Sequence, residues 1–214
     1  MEAIRLIDTN FKGLPMEEKR AVIALLDVMM KRLHKKNLMV NDFNPANIYY
    51  QDGIYFFDKV VSISSFSANN KEEAVFMNIL GLADLAFCSY LPDYHLEEGL
   101  LSYGVISENF NSFASYLPEE DRSYYKAVLV EGYQNGKASS NISYYSDYLI
   151  KDHNVNSSKG NKSSLAYVKA TEAGRVFASQ DEAAFGHNFF ILTVVGSLVV
   201  ILTGLIFYFI NYLF

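Results

Sequence analysis

The chain has 214 residues, of which 50% are apolar and 20% charged, with a net charge of −6. That acidic balance excludes a nucleic-acid binder built on clustered Lys and Arg. A single cysteine, Cys88, excludes an internal disulfide, and His34, His95, His153 and His187 stand apart from one another without ligands at metal spacing, so neither a metal nor a cofactor is expected.

Met1 to Leu14 carries Glu2, Arg5, Asp8 and Lys12, which interrupt any continuous apolar signal, so the amino-terminal domain is expected to stay on the side where it is made. A helix is expected after Pro15. Glu17 and Glu18 suit its positive end, Val22, Leu25, Leu26, Met29, Met30 and Leu33 recur at helical spacing, and Lys31, Arg32, Lys35 and Lys36 crowd its carboxyl end. The texture then changes. LMV, NDFNPAN, IYY, QDG and IYFFDKVV read as a strand, a loop, a strand, a tight turn at Asp52-Gly53 and a strand. Helix returns with Val75, Phe76, Ile79, Leu80, Leu82, Ala83, Ala86 and Phe87, and further helices are expected at Leu96–Tyr103, Ser107–Tyr116 and Glu119–Tyr133, punctuated by Pro92 and Pro118.

The paired tyrosines at Tyr124-Tyr125 and Tyr144-Tyr145 read either as half-buried helix faces or as a protein-binding patch. Cys88 reads as a small buried apolar residue. The polar stretches NGKASS and NVNSSKGNKSS read as loops, with the second close to a domain edge.

From Phe189 to Ile210 the chain runs for 22 residues without a charge. At about 1.5 Å per residue, such a helix crosses a hydrocarbon layer about 30 Å thick. Every Lys and Arg precedes it, Lys169 and Arg175 being the nearest. The positive-inside bias therefore predicts a cytoplasmic amino-terminal domain and a carboxyl terminus outside. Asn141, Asn156 and Asn161 lie in glycosylation sequons on the cytoplasmic side of that topology. Phe207, Tyr208 and Tyr212 sit where an aromatic belt is expected, and Gly196 and Gly204 share one face that could seat another span, so a homo-oligomer through the span is open.

The stretch Asn41-Asp42-Phe43-Asn44-Pro45-Ala46-Asn47-Ile48, set after a long helix and a short strand and followed by a hairpin and Asp58, resembles the catalytic loop of protein kinases. That resemblance implies a kinase C-lobe-like fold. In an active enzyme it implies that Asp42 orients the attacking hydroxyl while Asn47 and Asp58 hold magnesium. The sequence departs from the pattern in telling ways. Val40 replaces the usual His, Asn44 the usual Lys, and Lys59-Val60 the Phe-Gly after the metal-binding Asp, while the 41 residues before Asp42 hold no glycine-rich loop. A non-catalytic, pseudokinase-like domain is the expectation. The segment AFCSYLPDYHLEEGLL, Ala86 to Leu101, and the polar approach to the span are also similar to the EssB/YukC family of type VII secretion membrane proteins. That family implies a kinase-like cytoplasmic domain without catalysis, joined to one span.

The expected fold is thus mainly α with a small β-hairpin, an α+β body resembling a kinase C-lobe, plus one C-terminal transmembrane helix. Residues 1–150 form the cytoplasmic domain, 151–188 a polar linker and juxtamembrane segment, and 189–211 the span. The expected function is a membrane-tethered adaptor that recruits other proteins to a membrane complex. The alternatives are a reduced Mg-ATP-dependent phosphotransferase and a tail-anchored host or viral protein whose likeness to kinases is fortuitous.

Overall fold

The computed structural model describes residues 2–51, 54–58, 62–135, 142–157, 165–173 and 175. The chain divides into two units, Met1–Ala173 and Gly174–Phe214. The predicted span, with Phe189, Gly196, Gly204 and Ile210, lies outside the described residues.

The first unit is mainly helical with small antiparallel sheets. Helix α1, Met16–Lys35, begins at Pro15, carries Glu17 and Glu18 in its first turn, and ends on Arg32, His34 and Lys35, as the charge pattern requires. Asn37 then turns the chain with a φ of 57°, which Asn tolerates better than most residues. Helix α2, Lys71–Tyr90, is buried on every side from Asn78 onward. Among the described residues it is the one helix long and apolar enough to cross a membrane, and the rest of the unit wraps it as a core helix. Lys19 Nζ donates to the carbonyl of Ser89 at 3.1 Å, meeting one of the exposed acceptors at its carboxyl end.

One short strand precedes α1, and four lie between α1 and α2 in the chain. β1 (Ile4–Arg5), β3 (Ile48–Gln51) and β4 (Ile54–Phe57) form a sheet in the order β1-β3-β4. The β3–β4 register pairs Ile48 with Phe57 and Gln51 with Ile54, so the predicted hairpin is present, although residues 52–53 are not among those described. β2 (Leu38–Val40) does not join that sheet. It pairs with β5 (Ile63–Ser65), so that Val40 faces Ile63.

The later helices differ in detail from expectation. Leu96–Glu98 is only a 3₁₀ turn, closed by Gly99 at φ 99°, a conformation that suits glycine. Helix α3, Tyr103–Phe113, starts earlier than predicted because Ser102 caps it, its side-chain oxygen accepting from the Val105 amide. The region 119–135 runs from a 3₁₀ turn at Glu119–Asp121 through α4 (Arg122–Lys126), a π-helical turn at Ala127–Gly132 and α5 (Tyr133–Asn135). Helix α6, Tyr145–Ser157, follows, and a helical stretch at 165–173 buries Ala166 and Ala170. The tyrosine pairs are not a surface patch. Tyr124, Tyr125 and Tyr145 are buried and pack ring against ring, with Tyr124 and Tyr145 centroids 5.1 Å apart.

One stripe of α1 is polar yet buried. Arg20, Asp27 and His34 recur every seven residues and are at most 2% exposed. The Arg20 guanidinium grips Asp121 through two hydrogen bonds of 2.8 and 2.9 Å. Asp27 accepts the amides of Tyr145 and Ser146 at 3.1 and 2.9 Å, capping α6. His34 receives the Tyr144 hydroxyl on Nδ1 at 2.8 Å and pairs through Nε2 with Asn78 Oδ1 at 2.9 Å, an arrangement that suits the neutral ring. Burial pulls its pKa down in the same direction. The stripe ties α1 to the start of α4, to α6 and to α2.

Candidate functional site

The kinase-like loop leaves β2 at Val40 and enters a 3₁₀ turn at Pro45–Asn47. Both carboxylate oxygens of Asp42 are used inside it: Oδ1 accepts the Asn44 amide and Oδ2 the Asn47 side-chain amide, each at 2.7 Å. Asn44 in turn accepts the Ala46 amide at 2.9 Å, an Asx turn that sets up the Pro45 corner. Asp58 reaches the loop through its backbone, its amide donating to the Asn47 carbonyl at 2.9 Å. Thus Asp42 and Asn47 meet side chain to side chain, and Asp58 lies next to them in the fold. All three are half-buried. Lys59 and Val60 fall outside the described residues.

The loop is anchored from below by α2. Asn78 Oδ1 accepts the Val40 amide at 2.8 Å and its Nδ2 donates to the Val40 carbonyl at 2.6 Å, so one side-chain amide imitates a strand neighbour. Gly81 lets Phe43 settle on the helix: a Cβ there would meet the Phe43 ring at 2.4 Å. From the other side, the Asn41 amide donates to the Ser62 carbonyl at 2.7 Å and Ser64 Oγ to Asn41 Oδ1 at 2.6 Å.

Beside the loop opens a half-open cavity of about 660 Å³. Its floor is α2, through Asn78, Gly81 and Asp84. Its walls come from the loop on one side and from Leu100–Gly104 and Tyr133 on the other. Asp84 is only 2% exposed, and its one hydrogen bond among the described residues is a 3.3 Å contact from the Cys88 thiol to Oδ1. Burial, little offset by that thiol, lifts the Asp84 carboxyl to about 7. Cys88 is fully buried, as its apolar neighbours imply, and burial also pushes its pKa up, so it is no nucleophile.

Reasoning from sequence found Asp42, Asn47 and Asp58 but passed over Asn78, Gly81 and Asp84. A signal was there: they are the polar and small interruptions, three apart, of an otherwise apolar helical run, and so share one face. Among the described residues no His, Cys, Asp and Glu cluster could hold a metal ion. No family model, curated protein or solved structure matches the chain.

Proposed function

We propose that the chain is a membrane-tethered adaptor whose helical domain, resembling a non-catalytic kinase C-lobe, recruits other proteins to a membrane complex. The observation that carries the non-catalytic part is the state of Asp42. Both its oxygens are spent on the loop's own amides, which makes it a turn-forming carboxylate rather than one held open for a substrate hydroxyl. The adjoining cavity supports this, because among the described residues no Lys, Arg or His lines it and polyphosphate would meet two carboxylates, Asp42 and Asp84. The tether rests on the uncharged run from Phe189 to Ile210. Type VII secretion is the membrane setting that the likeness to EssB/YukC proteins implies.

A reduced phosphotransferase is the second reading, favoured by the proximity of Asp42 and Asn47 and the backbone link to Asp58. Thermal unfolding of the full chain in mild detergent, with and without millimolar Mg-ATP, separates the two. Nucleotide at a hundredfold excess over its dissociation constant stabilises by about 2.7 kcal/mol, a melting shift of roughly 5 to 10 °C. No shift is expected. A shift of that size, abolished by Asp58→Asn, would overturn the adaptor reading in favour of the phosphotransferase.

A further inference from the structure

Asp84 is hard to explain as a structural residue. Among the described residues, buried Arg20, Asp27 and Asp121 each have at least two hydrogen-bond partners, whereas the Asp84 carboxyl has one weak thiol contact and lines a cavity. Beside the polar Asn41, Asp42, Asn78 and Ser102, the cavity has a broad apolar and aromatic wall: Phe43, Tyr103 and Tyr133 line it, with Met77 and Tyr133 43% and 47% exposed. Its volume is that of a small-molecule site, and it combines an apolar surface with a few polar groups, as such sites do. Among the described residues no basic one lines it.

From these features we infer that the cavity is a binding site for an organic cation, an ammonium or guanidinium carried on an apolar body, with its charge on Asp84 and its body against Phe43, Tyr103 and Tyr133. A cation gives the Asp84 carboxylate a charge-assisted partner, and aromatic faces add attraction for it. An anion would meet two carboxylates, and a neutral apolar ligand would leave Asp84 buried without its partner. Free amines and the Lys or Arg side chain of a partner share this chemistry. The inference depends only on the cavity, so it stands or falls separately from the membrane and adaptor reading.

Binding requires the carboxylate, so affinity should climb as pH rises through about 7. The other titratable groups around Asp84 are Cys88 on its own helix, Tyr94 in the following turn, Tyr103 at the start of α3, Tyr133 on α5, and Asp42 on the loop. Burial raises Cys88, Tyr94 and Tyr103 further above neutrality.

The test is calorimetric titration of the full chain in mild detergent with phenethylammonium, with the peptide acetyl-Leu-Arg-Leu-amide, and with phenylacetate as the anionic counterpart. Saturable binding of a cationic probe is expected, at least tenfold tighter at pH 8 than at pH 6, with none of phenylacetate. Asp84→Asn, which keeps the shape and removes the charge, should weaken it at least tenfold. Met77→Lys, an exposed change at the mouth, should do the same by occupying the site with a tethered cation. Tighter binding of the peptide assigns the cation to a partner's side chain, and tighter binding of the amine assigns it to a small molecule. If neither cation binds, or if binding is indifferent to both variants, the proposal is wrong.

Discussion

The polar stripe of α1 and the cavity on α2 both place charged groups inside the protein, but they solve the problem in opposite ways. Along α1, Arg20 has Asp121, Asp27 has the first amides of α6, and His34 has Tyr144 and Asn78. On α2, Asp84 has only the Cys88 thiol among the described residues. A buried charge with a complete set of partners specifies how elements dock. A buried carboxyl without one weakens the fold, and it persists where it does something else. The contrast can be broken or sharpened by substitution at each site.

The largest effect is expected at Arg20. Arg20→Ala strands Asp121, which is fully buried, and also removes the contacts to Glu17 and Glu120. Removing one member of a buried pair typically costs about 3 to 5 kcal/mol. Urea unfolding of the full chain in mild detergent should show a loss of that order. A loss under ~1 kcal/mol would mean that Asp121 is re-solvated and that the stripe does not hold α1 to the turn before α4.

At Asp84 the expected sign is reversed. The native carboxyl titrates near 7 and the unfolded one near 4, so between these values the native state holds a proton that the unfolded state has released. Stability therefore falls as pH rises across that window, and Asp27, lifted to about 6 by burial, adds to the fall. Asp84→Asn removes the larger part. At pH 8 it should stabilise the protein by on the order of 1 to 3 kcal/mol, with little change at pH 4, and the slope that remains should belong to Asp27. Urea midpoints at the two pH values measure it. A variant less stable than the parent at pH 8 would show that the carboxylate has a structural partner after all.

How far the sequence reveals these two regions follows from the distances over which the interactions act. Helix α1 was legible because its start, its charges and its apolar positions are all local. So was the β3–β4 hairpin, where the alternation of IYYQ and IYFF brackets a two-residue turn. The pairing of β2 with β5 was not, because Ile63–Ser65 is short and polar and its partner lies well back in the chain. The apolar and acidic residues of the 3₁₀ turn at Leu96–Glu98 fit an α-helix equally well, and only Gly99 decides between them. The loop carboxylates Asp42 and Asp58 stood out by their spacing. Asp84 did not, since a lone acid in an apolar helix gains meaning only when the cavity beside it is seen.

The smallest and sharpest comparison is between two buried tyrosines in the same aromatic cluster. The Tyr145 hydroxyl donates to Asp121 Oδ2 and belongs to the Arg20 network, whereas the buried Tyr125 hydroxyl has no hydrogen-bond partner among the described residues. Both rings are at most 1% exposed, so the change to Phe conserves packing in each case and isolates the hydroxyl. Tyr145→Phe takes a hydrogen bond from a charged acceptor and should cost roughly 1.5 to 3 kcal/mol. Tyr125→Phe removes a polar atom that burial has already cut off from water, so it should lie within about 1 kcal/mol of the parent, on the stabilising side. Parallel urea titrations decide between them. Equal losses would mean that the rings rather than the hydroxyls carry the cluster, and that the polar stripe ends at Arg20 and Asp121.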